Sequence, residues 1–276
     1  MTHPDPARRI HVIGIGTGSP EHITAQASTA LNEVNVFLVA DKGGVTDELV
    51  AIRRAICDRF IEGDDYRVLT VPDPQRGPDA RRDGAQYLAG VDAWHTARAA
   101  RYAEVIAGLR PHDVVGFLVW GDPAFYDSTL RILETVGQRI PLQIKVTPGL
   151  TAFQVLAAEH GIVLNGIGSP VHITTGRRLI EEWRPGLGTV VVMLDGALAC
   201  AGLVDREPDL TLHWGAYLGM PQQALLSGRL ADVIDEVRDT RARLRAEHGW
   251  LMDIYSLTPS APGTGPQSSR SPSTSR

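Results

Sequence analysis

The chain has 276 residues, of which 43% are hydrophobic and 21% charged, the balance of an ordinary globular protein with room for a sizeable core. Its formal net charge of −5 argues against nucleic-acid binding, which calls for a basic face. No apolar run reaches the roughly 18 residues that span a bilayer, and MTHPDPARRI at the start has no apolar segment of a secretory signal, so no membrane partner and a cytoplasmic location are expected.

Taken in chain order, the first half alternates strand-like and helix-like runs. Strands are predicted at Ile10–Ile15, Val34–Ala40, Tyr66–Val71, Val114–Trp120 and Gln143–Thr147. Between them, Ile23, Ala27, Leu31 and Val34 share one helical face after Pro20, and Leu49, Ile52, Ile56 and Phe60 share another. A longer helix is predicted from about Asp83 to Leu109. Such alternation predicts an α/β fold with a parallel sheet covered on both faces. Around Leu164–Pro170 a glycine and proline cluster suggests a domain junction. Further strands are expected at Val171–Thr174, Thr189–Leu194, Thr211–Trp214 and Leu251–Leu257, with a helix over Leu230–Glu247, and this second sheet is expected to be mixed. The division is therefore 1–9 as an extension, 10–165 and 166–258 as two α/β domains, and 259–276 as a tail too poor in large apolar residues to order itself.

Cys57 and Cys200 lie far apart and form no CxxC pair, so buried structural thiols are expected rather than a redox site. The histidines form neither HExxH nor a Cys/His cluster, and no metal is expected. Of 27 basic residues only Lys42 and Lys145 are lysine. Some of the arginines could act as bidentate carboxylate clamps.

The first strand runs into Gly14-Ile-Gly16-Thr17-Gly18-Ser19-Pro20. A dinucleotide fingerprint wants a third glycine where Ser19 stands, and Pro20 removes one N–H from the following turn. No Gly-Lys-Ser/Thr follows, so a Walker loop is excluded. Spacing alone leaves two readings open, a tight turn for close packing and a phosphate cradle. Three more glycine loops end predicted strands: Asp41-Lys42-Gly43-Gly44, Trp120-Gly121-Asp122-Pro123, and Pro148-Gly149-Leu150-Thr151-Ala152. Ligands of open parallel sheets bind outside the carboxyl ends of the strands, so these loops define one candidate rim.

Together, the GIGTGSPEHIT, WGDP and PGLTA segments resemble, in order and spacing, the signatures of the tetrapyrrole (precorrin) methylase family of class III S-adenosylmethionine-dependent methyltransferases. The likeness runs from about residue 10 to 257. It is sharpest to members that methylate C1 of precorrin-5 with loss of acetate in aerobic cobalamin synthesis. The residues that carry it are VADKGG (39–44), the insertion from Tyr87 to Arg101, LVWGDPAFYDSTLRIL (118–133) and VVVMLDG (190–196). Thr17 stands where the family usually has proline, and Trp120 where it has the first glycine of GGDP.

The resemblance implies two α/β domains with S-adenosyl-L-methionine in the cleft between them, leaving S-adenosyl-L-homocysteine as product, usually in a homodimer and without a metal. It implies cofactor contacts at Thr17, Trp120, Gly121, Asp122, Phe125, Thr151 and Ala152, and at Met193, Leu194, Tyr217 and Leu218. Gly16 and Gly18 would face the tetrapyrrole substrate, whose carboxylates call for arginines; Arg76, Arg81, Arg82 and Arg98 are the candidates. Asp41 is the candidate general base, Lys42 a group to polarise the acetyl carbonyl, and Tyr126 a further catalytic candidate. The alternatives are another precorrin or diphthine-type methyltransferase of the same superfamily and, from a different class, a dinucleotide-dependent oxidoreductase.

Overall fold

The computed structural model of the protein describes residues 6–41, 47–74 and 84–259. The chain divides into two compact units. The first runs to Val155 and takes in Tyr217–Ala224 and His248–Leu251; the second comprises Leu156–Ala216, Leu225–Glu247 and the residues from Met252 onward.

In the first unit, β1 (Arg8–Gly14), β2 (Val36–Asp41), β3 (Arg67–Pro72), β4 (Val114–Val119) and β5 (Leu142–Thr147) form one sheet in the order β3-β2-β4-β1-β5. Every pairing with a given register is parallel. On one face Ile13, Phe37 and Val114 pack with Ala27, Ala30 and Leu31 of α1 (Ala25–Asn32) and with Ile56 and Cys57 of α2 (Asp47–Phe60). On the other, Ile10, Val12, Leu38 and Phe117 pack with Tyr102 and Ile106 of α3 (Gly84–Ala107) and with Ile132, Leu133 and Val136 of α4 (Thr129–Gly137). Strands covered on both faces read as continuous apolar runs, and each large side chain so buried contributes about 1.5–3 kcal/mol.

The second sheet has the order β6-β7-β10-β8-β9, with β6 (Val171–Thr175), β7 (Thr189–Met193), β8 (Thr211–Ala216), β9 (Ala224–Arg229) and β10 (Asp253–Thr258). β6 and β7 are parallel, while β10 is antiparallel to β7 and β8, which makes the sheet mixed. The α/β class, the parallel first sheet and the mixed second one are thus as the sequence predicts. Two short helices, α5 (Ala152–Glu159) and α6 (Gly176–Glu182), precede the longer α7 (Leu230–His248).

Some elements differ from the sequence reading. Pro20 does not begin the first α-helix; it opens a three-residue 3-10 turn, Pro20–His22, capped by Ser19. The α-helix starts at Ala25, because the Thr24 hydroxyl accepts the Ala27 N–H at 3.0 Å. Val34 therefore lies beyond the helix, though it is buried in the same core. β9 and helices α4 to α6 were not predicted; α4 to α6 are at most nine residues long, and β9 is half-buried without alternation. The tail after Pro259 lies outside the described residues. Cys57 and Cys200 are free, buried thiols, and burial pushes them up to about 11 and about 12, so they stay protonated and inert.

Glu182 pins α6 to β6. Its carboxylate accepts from the Thr174 hydroxyl at 2.5 Å and Arg178 Nε at 2.5 Å, and its Oε2 lies 3.2 Å from His172 Nε2. Those hydrogen bonds, Thr174 foremost, lower its pKa from 4.5 to about 2. A depressed carboxylate stabilises the fold above the unfolded-state pKa and loses that contribution as pH falls from about 4.5 towards 2. Glu182→Gln is expected to cost on the order of 1 kcal/mol at neutral pH. The gap to the native protein should narrow through that acid window in urea denaturation; a gap independent of pH would contradict the assignment.

Candidate active site

The carboxyl ends of β4, β1 and β5 lie side by side, because β1 is paired to both neighbours. Their loops are locked together by main-chain contacts. Gly16 and Gly121 exchange two hydrogen bonds, Gly16 N–H to Gly121 O at 3.2 Å and Gly121 N–H to Gly16 O at 2.7 Å. Gly14 and Gly149 approach so closely that a Cβ on Gly14 would stand 2.5 Å from Gly149 N. Asp122 joins the set: Oδ2 accepts the Gly149 N–H and Oδ1 the Ala124 N–H, each at 2.8 Å. The glycines of the three motifs are therefore what lets three backbones meet.

These contacts decide between the two readings of the first loop. The Gly16 N–H is spent on Gly121, and no α-helix begins until Ala25. That N–H is taken from a phosphate, and with no α-helix opening at the loop there is no helix N-terminus to aim its N–H groups at one. A Cβ on Gly16 would run into His22 and one on Gly18 into Met220, so both glycines are filled from within the unit. Thr17 is buried, its hydroxyl 3.1 Å from His22 Nδ1. Gly219 likewise lies against the His22 ring. His22, a variable position inside the GIGTGSPEHIT segment, and Met220, which lies in none of the quoted motifs, thus organise the loop.

Beside this packed seam the chain leaves space. A Cβ on Gly121, which has φ +69, would meet nothing nearer than Leu150 O at 3.9 Å. Phe125 and Tyr126 present exposed rings just after it, and Phe125 stacks edge-to-face on Phe153 at 5.1 Å. Trp120 packs against the core under the loop. Thr151 and Gln154 form a capping box at the start of α5. The Gln154 Oε1 accepts the Thr151 N–H at 2.9 Å and its hydroxyl at 2.8 Å, and Gln154 N–H reaches Thr151 Oγ1 at 3.4 Å. Ala152 is the first residue of that helix.

Backbone strain marks the same residues. Among the described residues, four non-glycine residues have left-handed backbones: Tyr126 (φ 52), Leu194 (φ 53), Leu198 (φ 58) and Tyr217 (φ 50). Three of them are candidate site residues. Such a conformation costs of order 1 kcal/mol or more and gathers at functional sites. Tyr217 is fully buried, stacked edge-on against Trp250 at 4.9 Å with its hydroxyl donating to Trp250 O. Leu218, next to it, is also buried. In the second unit Met193 ends β7, and Leu194 after it is 65% exposed.

The remaining candidates fall elsewhere. Asp41 is the exposed last residue of β2, and its carbonyl accepts the Asp73 N–H at 3.0 Å. Lys42, Arg76, Arg81 and Arg82 lie outside the described residues. Arg98 is turned to its own unit: Nε donates to Asp73 Oδ1 at 2.8 Å, Nη2 pairs with Oδ2, and the guanidinium stacks 3.9 Å from the Trp94 ring. At 8% exposure it clamps α3 to the segment after β3, and a substrate carboxylate would have to compete with Asp73. Among the described residues no group of three His, Cys, Asp or Glu side chains could hold a metal ion, and no helix is long and apolar enough to cross a membrane.

A family model for tetrapyrrole (corrin/porphyrin) methylases matches residues 9–234. A precorrin-6A synthase (deacetylating) of Sinorhizobium sp is 44% identical over 253 residues, spanning 91% of this chain and 95% of that relative. A precorrin-2 C(20)-methyltransferase, also of Sinorhizobium sp, is 28% identical over 209 residues, 72% of this chain and 81% of its own. Among solved structures, a cobalamin synthesis related protein (CobF) from Corynebacterium diphtheriae has a TM-score of 0.77 at 40% identity, covering 92% of this chain and 99% of that one. A uroporphyrin-III C-methyl transferase from Thermus thermophilus, complexed with S-adenyl homocysteine, shares the fold at a TM-score of 0.53 and 19% identity, covering 91% and 97%. With the family model spanning most of the chain and a relative 44% identical along 91% of it, the protein belongs to the tetrapyrrole (corrin/porphyrin) methylase family.

Proposed function

We propose that this protein is an S-adenosylmethionine-dependent methyltransferase that methylates C1 of precorrin-5 and releases acetate, giving precorrin-6A in aerobic cobalamin synthesis. The observation that carries the reading is the 44% identity to a deacetylating precorrin-6A synthase across 95% of that relative. Family membership sets aside the dinucleotide-dependent oxidoreductase.

The residues at the rim of the first unit fit the cofactor. Open space beside Gly121 and the exposed rings of Phe125 and Tyr126 suit a ligand that is flat at one end and cationic at its sulfonium. Trp120, Gly121, Asp122, Phe125, Thr151, Ala152, Tyr217 and Leu218 would hold it there, with Thr17 behind them and Met193 and Leu194 as further contacts. When bound, it supplies an electrophilic methyl group. The chain's share of the rate is then positioning, because an aligned near-attack geometry supplies much of the barrier lowering. Interlocked loops serve that end, as they leave the rim little freedom to shift.

The deacetylation needs water activated at the acetyl carbonyl. Its attack cleaves the bond between C1 and the acetyl carbon; the electron pair left on C1 accepts the methyl group, acetic acid departs, and the water proton passes to a base. Asp41, at the carboxyl end of β2 on the ligand side of the sheet, is the base we assign, with Lys42 polarising the carbonyl and Tyr126 as a further catalytic group. Gly16 and Gly18 shape the loop that the tetrapyrrole faces, and Arg76, Arg81 and Arg82 are the arginines for its carboxylates, joined by Arg98 only if the substrate displaces Asp73. Asp41→Asn is expected to leave S-adenosylhomocysteine affinity within about twofold and slow acetate release roughly 100-fold or more. Acetate release at the native rate would remove Asp41 from this role.

We also assign a homodimer in the cytoplasm. Support for a partner copy comes from the exposed apolar residues Val163 and Ile167, which precede the edge strand β6. Calorimetry tests the cofactor assignment: S-adenosylhomocysteine should bind and NAD(P) should not, and the reverse result would overturn the function proposed.

A further inference from the structure

The strained turn after β7 has an elaborate support behind it. Leu194 faces outward with its left-handed backbone, and Leu198, four residues on, is left-handed too. Asp195 between them is 6% exposed, and its carboxylate is fully engaged. Oδ1 accepts the Ala197 N–H at 3.0 Å, while Oδ2 accepts the Ala199 N–H at 2.7 Å and the Tyr255 hydroxyl at 2.6 Å. The Tyr255 oxygen in turn accepts the Cys200 N–H at 3.3 Å. Burial foremost, then the neighbouring Cys200 and Asp195, push the Tyr255 hydroxyl far up, so it remains a donor.

A second layer holds the backbone of the same residue. Arg241 of α7, 7% exposed, donates from Nη2 to the Asp195 carbonyl at 2.5 Å. Its Nε lies 2.8 Å from Asp253 Oδ2, the same oxygen that accepts Trp214 Nε1 at 2.8 Å. On the remaining side, the first residue of α6 is Gly176, where any Cβ would overlap the Asp195 carboxylate. Residues from α6, α7 and β10 therefore converge on one aspartate.

None of this improves the burial of Leu194, which stays 65% exposed. A glycine at 194 would adopt the same backbone without strain. A buried polar network spent on a leucine it does not bury is explained by what the outer edge of the turn must do. We propose that Asp195, held by Tyr255 and Arg241, is a positioning residue for cofactor binding: it fixes the Met193–Leu194 main chain in the geometry that contacts S-adenosylmethionine. This rests on the reading of Met193 and Leu194 as cofactor contacts given above.

Two variants separate this role from plain structural support. Tyr255→Phe removes one of the three donors to Asp195 and keeps the ring; Leu194→Gly relieves the strain and gives up little buried surface. Both are expected to weaken S-adenosylhomocysteine binding about tenfold and to raise the KM for S-adenosylmethionine with kcat within about twofold. Leu194→Gly should do so with a Tm equal to or above that of the native protein. Unchanged affinity in both variants, against a native protein that binds the ligand, would overturn the positioning role alone. Native protein that binds no S-adenosylhomocysteine would overturn this inference and the proposed function together.

Discussion

Asp122→Ala is expected to lower kcat/KM by about 100-fold or more and to cost roughly 2 kcal/mol of stability. The carboxylate is the tie between two loops: one oxygen holds Ala124 N–H and the other Gly149 N–H, both at 2.8 Å. Hydrogen bonds to a charged acceptor contribute about 1.5–3 kcal/mol each where buried. Only the Gly149 bond is partly buried, and the Ala124 bond is exposed, so the stability loss stays near that of one such bond. The activity loss is larger because displacing a rim loop by about 1 Å can cost 100-fold in rate. Asp122→Asn keeps one good acceptor and should fall between. Steady-state kinetics beside urea denaturation measure both effects. Full activity in a destabilised variant would reduce Asp122 to a loop tie with no bearing on catalysis.

Gly149→Ala is expected to be the most destabilising single-methyl change in the first unit, at about 3 kcal/mol or more. The added Cβ would stand 2.8 Å from Gly14 C and 2.9 Å from Gly14 Cα, and nearer still to Gly121 O. Overpacking a core commonly costs about 1–3 kcal/mol when side chains can yield; here every obstructing atom is backbone. For a domain of this size that is a fall in Tm of about 10 °C. Gly137→Ala is the control, since its Cβ would meet nothing within 4 Å at the end of α4. Thermal unfolding of the two variants should differ sharply. Equal Tm values would mean that the three loops do not interlock as described.

Much of the first sheet is legible in the sequence. β1, β2 and β4 are covered on both faces, so they read as VIG, VFLVA and VVGFLV runs between glycine loops, a pattern that surface chemistry does not blur. The interlocking of those loops follows from their glycines once the strand order is known. β9 is not legible, because ALLSGR is short and half-buried and carries no period. Pro20 misleads on the helix start, since a proline at N1 serves a 3-10 turn as well as an α-helix, and Thr24 wins by capping Ala27. Leu194 falls in the quoted VVVMLDG segment and Tyr217 among the contacts the resemblance implies, but their strain is not legible, since neither Leu nor Tyr is a residue that announces a positive φ. The support around Asp195 is hidden for another reason. Its members, 176, 195, 241, 253 and 255, come from elements scattered along the chain, with no local spacing to betray them. Arg98 illustrates the converse, an arginine placed among the substrate candidates whose visible partners are Asp73 and Trp94.

The most direct test of the account is a single-turnover incubation of the full chain with precorrin-5 and methyl-labelled S-adenosylmethionine, following acetate and the mass of the tetrapyrrole together. One labelled methyl gained and one acetate released per substrate consumed, in equal amounts, is the expected result. Methylation with the acetyl carbon retained, or no methyl transfer at all, would contradict it.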